Sequence, residues 1–90
     1  MILLYENSYR VNENSYRREI GMFINLKVEM LKANIDINDL SKELNLTPAS
    51  VYSKIKGKSQ WTLKQMEITK QFLESKLNKT LNLEYLFKGA

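Results

Sequence analysis

Two pairs of apolar residues, Leu40 with Leu44 and Val51 with Ile55, flank the segment Asn45-Leu46-Thr47-Pro48. Each pair has i, i+4 spacing and so marks one narrow stripe on a helix whose remaining surface is polar. Two such helices, separated by so short a turn, can shield their stripes by folding against each other. Local signals agree with this. Asp36 or Asn38 can cap the first helix, and Ser41 is small where the helices approach. Asn45 stands where the chain must turn sharply, and asparagine is the best residue after glycine for a left-handed backbone. Leu46, the lone apolar residue of the turn, is placed to plug the angle between the helices. Thr47 offers an oxygen to an orphan N–H, while Pro48 at the first helical position gives up no hydrogen bond and presets φ. Gly57 suits a left-handed stop. The spacing therefore predicts helices over residues 37–44 and 48–56, the second running from Pro48 to Lys56.

Charge falls on the same place. The chain carries 14 Lys and Arg against 10 Asp and Glu, a net charge of +4. Between Leu44 and Met66 stand four lysines, Lys54, Lys56, Lys58 and Lys64, and no acid, so the whole excess sits on the second helix and its exit. Basic charge gathered on the second helix of a helix-turn-helix is the electrostatic footprint expected for phosphate binding. The plainer alternative is a solvated helix face.

The run Lys54-Ile55-Lys56-Gly57-Lys58, followed by Trp61-Thr62-Leu63, resembles the end of the recognition helix and the opening of the next helix in the Cro and lambda-repressor-type helix-turn-helix family, especially its small phage-repressor-like proteins. The resemblance spans residues 22–87. It departs from the family pattern at Asn45, where glycine is favoured, and at Lys54, which takes a place often apolar. Pro48 and Ala49 also replace the Gln and Ser frequent in such proteins. The resemblance implies an all-α, lambda-repressor-like fold, a small bundle of four to five helices containing a helix-turn-helix. It implies a homodimer on double-stranded DNA, and a bacterial or phage origin. By the same resemblance Thr47, Ala49, Tyr52, Ser53 and Lys56 face the groove, with the helix N-terminal end nearest the base edges. Lys54, Lys58, Ser59 and Gln60 would hold phosphates and fix register. None of the groove residues is a strong bidentate reader, so discrimination would lean on apolar contact from Ala49, on Lys56 and on DNA shape.

Elsewhere the pattern is helical. A first helix is expected over residues 23–34 with Phe23, Leu26, Met30 and Leu31 inward. A fourth opens on Thr62 and Gln65, a Thr-x-x-Gln capping box, directs Leu63, Met66, Phe72, Leu73 and Leu77 to the core and ends near Asn78. A last turn over residues 83–87 has Asn82 as its cap. The cluster Leu81, Leu83, Tyr85, Leu86 and Phe87 would close the core of the first and fourth helices or form a dimer contact. Trp61, just before a capped helix, reads as a core lid, with the DNA backbone as the alternative.

Ninety residues, 43% of them apolar, predict one small domain with a thin core. Cysteine and histidine are absent. That excludes disulfides, Cys/His zinc sites and Cys or His catalysis. The apolar run Ile2-Leu3-Leu4-Tyr5 is too short for a signal peptide or a membrane span, so a cytoplasmic protein is expected, with no cofactor and no evident small-molecule ligand. An enzyme is not expected, because Glu29, Asp39, Glu43, Glu67 and Glu74 are spread over polar helix faces with no catalytic constellation among them.

Residues 1–21 form an extension before the domain at 22–90. Glu6-Asn7-Ser8-Tyr9-Arg10 recurs as Glu13-Asn14-Ser15-Tyr16-Arg17. Two polar copies cannot build a coiled coil. Either this is a flexible arm touching DNA through Arg10, Arg17 and Arg18, or it reflects an upstream regulatory region read as protein, with Met22 the native start. On the second view the repeat spans roughly 21 base pairs, about two turns of B-DNA. Two functions remain open from the sequence. One is a sequence-specific transcriptional regulator, and the other is a protein-interaction module on the same fold, such as an antirepressor or a phage inhibitor of a host protein.

Overall fold

The computed structural model describes residues 23–89. The arm at 1–21, with its direct repeat, lies outside them. Among the described residues the chain is all-helical: α1 (Ile24–Lys32), α2 (Ile37–Leu44), α3 (Pro48–Ile55), α4 (Leu63–Leu77) and α5 (Leu83–Leu86). The small helical bundle expected from the sequence is what forms.

Helix starts follow local chemistry. Asp36 accepts from the Asp39 N–H at 2.8 Å while the Asp39 carboxylate accepts from the Asp36 N–H at 3.0 Å. Thr62 and Gln65 make the same reciprocal pair ahead of α4. Thr47 and Asn82 cap α3 and α5 singly. Each cap supplies about 1 kcal/mol. The stops are equally local. Asn34, Asn45, Gly57 and Asn78 all have positive φ. At the first three, paired hydrogen bonds run back into the last turn, as in Asn45 N–H to the Lys42 carbonyl and Leu46 N–H to that of Ser41. Replacing Asn45 (φ 58) by alanine puts a Cβ penalty on this turn and is expected to cost about 1 kcal/mol. Thermal unfolding should show Tm lower by roughly 4–8 °C. Asn45→Gly should keep Tm at or above the native value, which separates backbone strain from loss of a side-chain contact.

The stripes then meet. α2 packs on α3 and α4, while α5 packs on α1 and α4. Leu40, Leu44, Val51 and Ile55 are buried, joined by Leu26, Met30, Ile35, Leu73, Leu81, Leu86 and Phe87. Leu46 packs against this core from the turn. Ser41, also buried, gives its hydroxyl hydrogen to the Asn38 carbonyl, so close approach leaves no polar group unpaired there. Leu81, Leu86 and Phe87 close the core over α1 and α4, as the apolar cluster at the end of the chain suggested.

Several expectations are corrected. Leu31 points outward, 82% exposed, and Leu63 is also exposed in the first turn of α4. Helix α1 ends at Lys32, before Asn34, and α3 ends at Ile55 with Lys56 as its C-cap. Glu29 is not on a polar face: it is buried among Tyr85, Lys79 and Lys32. Phe23 is not helical but caps α1 with a left-handed backbone (φ 53), a conformation costing a bulky residue roughly 1–2 kcal/mol. Its buried ring offsets that cost by packing edge-on against Trp61 and Phe87 at 6.3 and 6.2 Å.

Candidate nucleic-acid interface

Because Val51 and Ile55 hold one side of α3 against the core, the opposite side is fixed toward solvent. Thr47, Ala49 and Tyr52 are exposed, and Ser53 and Lys56 are half-buried at the edges of that face. Ala49, Tyr52 or Ser53, and Lys56 succeed one another at helical spacing, so they form one row. Thr47 Oγ1 accepts the Ser50 N–H at 3.1 Å, which leaves its hydroxyl hydrogen as a donor. The Lys56 ammonium lies 5.5 Å from the centroid of the Tyr52 ring. This cation–π contact, worth about 0.5–1 kcal/mol at an exposed site, makes the two side chains a single amphipathic unit. The row thus offers a methyl group, hydroxyl groups and one cation.

The exit of α3 is built around Gly57 (φ 83). Its N–H bonds the Lys54 carbonyl at 3.1 Å and the Lys58 N–H bonds that of Ser53 at 2.9 Å, ending the helix abruptly. Lys58, Ser59 and Gln60 follow, all exposed. The structure brings these three residues together in one loop. Lys54 stands apart from them in what it does, because its Nζ donates to the Gln60 carbonyl at 2.6 Å. Trp61, the next residue, packs as the lid: its ring lies 4.9 Å from that of Phe87, and its Nε1 is buried without a hydrogen-bond partner. An indole nitrogen so enclosed does not reach a phosphate.

The acid groups with shifted ionisation have structural partners outside this face. The Asp39 carboxyl is held below its ordinary range chiefly by the Asp36 backbone N–H. Glu74 is lowered chiefly by the Leu81 N–H, which it accepts at 2.8 Å, and by Lys70. Among the described residues no group of three His, Cys, Asp or Glu side chains is arranged to hold a metal ion, and no helix is long and apolar enough to cross a membrane.

Two features escaped the sequence reading. The Lys54–Gln60 contact joins a side chain to a backbone carbonyl six residues on, and no residue-type pattern encodes it. The second is an open groove of about 520 Å³ beside α3, lined by the apolar groups of Met30, Leu31, Ile35, Ile37, Tyr52 and Ile55 and by the polar groups of Lys27, Asp36, Asn38 and Lys56. Leu31, which faces outward, is part of its wall. No protein-family model, curated protein or solved structure matches the chain.

Proposed function

We propose that the protein is a sequence-specific DNA-binding transcriptional regulator of the Cro or repressor type, acting as a homodimer in the cytoplasm of a bacterial or phage-infected cell. One observation supports this reading: in the acid-free stretch from Leu44 to Met66, Lys54, Lys56 and Lys58 stand in the last turn, at the C-cap and in the exit loop of a helix whose other face is held in the core, and Lys64 follows in the first turn of α4. A positively charged helix with a fixed solvent face suits a major groove, where phosphate contacts position and the exposed row reads. Dimerisation follows from energetics, because one such helix reads only a few base pairs and paired half-sites are the usual route to affinity.

The test is fluorescence anisotropy with the gene's own upstream DNA and with scrambled DNA of equal length, at two salt concentrations. A preference of roughly a thousandfold or more for the upstream DNA is expected. Lys56→Ala should reduce that preference. Lys58→Ala should weaken binding to both DNAs alike and lower the salt slope by about one. Equal loss of discrimination from both changes would contradict this division of roles, and no salt-sensitive binding to either DNA would reject the function.

A second reading, a protein-interaction module, draws on the groove that holds Leu31 and Tyr52. Leu31 is 82% exposed and Tyr52 51% exposed on the same open surface, and such neighbouring apolar groups favour a protein contact. This reading expects a tight partner whose binding Leu31→Asp abolishes, together with no affinity for DNA.

A further inference from the structure

We infer that Lys54 is a positioning residue, one that sets the geometry of the phosphate-binding loop rather than contacting phosphate itself. The inference rests on the DNA-binding reading and reassigns one of its residues. Lys54 is half-buried, in the last turn of α3, and its ammonium donates to the Gln60 carbonyl at 2.6 Å. The contact spans residues 55–59 and ends on Gln60, so it closes the loop that carries the exposed residues Lys58, Ser59 and Gln60. At the near end the loop is tied by the Gly57 and Lys58 N–H bonds to α3. At the far end Trp61 is clamped between Phe23 and Phe87. Between those ties, Ser59 N–H reaches the Ser53 carbonyl only at 3.4 Å. The Lys54 ammonium is therefore the strong polar tie across the open side of the loop, and a charged donor makes such a bond stronger than a neutral one. Lys54 is suited to this use, because its half-buried stem leaves the ammonium head free to reach a backbone carbonyl six residues on.

The experiment compares Lys54→Met, Lys54→Arg and Lys58→Met in the full chain. In the free protein, amide hydrogen exchange at Lys58 and Ser59 is expected to be about fivefold faster in Lys54→Met, as loss of one hydrogen bond implies. Lys54→Arg, which keeps a charged donor, should restore it, and Lys58→Met should leave it unchanged. On DNA, Lys54→Met should weaken binding while keeping the salt slope, whereas Lys58→Met lowers the slope by about one. Unchanged exchange in Lys54→Met overturns the inference. So does a slope reduced by about one, which would make Lys54 a direct phosphate contact. If the unaltered chain binds no DNA the function fails, and the exchange rates still decide whether the tie exists.

Discussion

Leu40→Ala is expected to lower the unfolding free energy by about 2–5 kcal/mol, the range for removing a fully buried leucine side chain. Leu40 is 1% exposed on α2, the helix that packs on both α3 and α4. Its removal leaves a void at the junction that sets where α3 projects. A domain of this size sits near the lower end of the usual range of about 5–15 kcal/mol, so Tm should fall by roughly 10 °C or more. Leu31→Ala supplies the contrast. The residue is equally apolar but 82% exposed, and its replacement should change stability by no more than about 0.5 kcal/mol. Chemical denaturation of the two variants side by side checks both values. A large loss from Leu31→Ala would mean that its groove is filled in solution, and a small loss from Leu40→Ala would contradict the packing of α2. Under the proposed function, Leu40→Ala should lose DNA binding only at temperatures where it unfolds, since the residue has no exposed surface to offer a groove.

The contrast between these leucines shows what the sequence could and could not specify. Caps and stops were legible because each is decided within four residues: Thr47 beside Pro48, Thr62 with Gln65, Asn45 and Gly57 at left-handed positions. The stripes of α2 and α3 were legible because Leu40 with Leu44 and Val51 with Ile55 are each helix's aliphatic pair at i, i+4, and Ile37, three residues before Leu40, falls on the same side. In α1, Met30 and Leu31 are adjacent, about 100° apart on the helix, and nothing local says which one faces inward. The answer came from α5, whose Tyr85 gives Glu29 a partner and so lets the face carrying Leu26, Glu29 and Met30 turn inward. Leu63 was misplaced for a related reason. It follows the cap Thr62 directly, in a first turn that lies at the margin of the packed layer. The outward row of α3 was expected from the family resemblance rather than from spacing, and burial of Val51 and Ile55 on the opposite side fixes that face toward solvent, whereas the Lys54 tie depends on the path of a loop and left no mark in residue spacing.

The Glu29 cluster carries the second large effect. The carboxylate is 2% exposed, with the Tyr85 hydroxyl donating to Oε2 at 2.7 Å, Lys79 Nζ 3.3 Å from Oε1 and Lys32 Nζ 3.7 Å from Oε2. Burial alone would raise its pKa, but the Tyr85 hydrogen bond and the two ammonium groups outweigh burial and hold it below 4.5. The same bond raises Tyr85 above its ordinary value of 10.0, with burial adding to the effect. A depressed carboxyl pKa contributes stability that is complete above 4.5 and is lost as pH falls through the lower folded value. The raised tyrosine contributes stability that is complete below 10.0 and is lost as pH rises through its higher folded value. Glu29→Gln should therefore cost about 1.5–3 kcal/mol at neutral pH, the range for a hydrogen bond to a charged group. The gap to the native chain should close as pH falls below the folded pKa of Glu29, where the native carboxyl is neutral too. Tyr85→Phe should cost a similar amount, and the double variant less than the sum, because both changes remove one interaction. Denaturant titrations across the acid range read all of this directly. A gap independent of pH would mean that Glu29 contributes through shape rather than charge. The cluster joins α1 and α5 to the turn after α4, on elements other than α3, so under the proposed function the folded Glu29→Gln protein should bind DNA as the unaltered chain does.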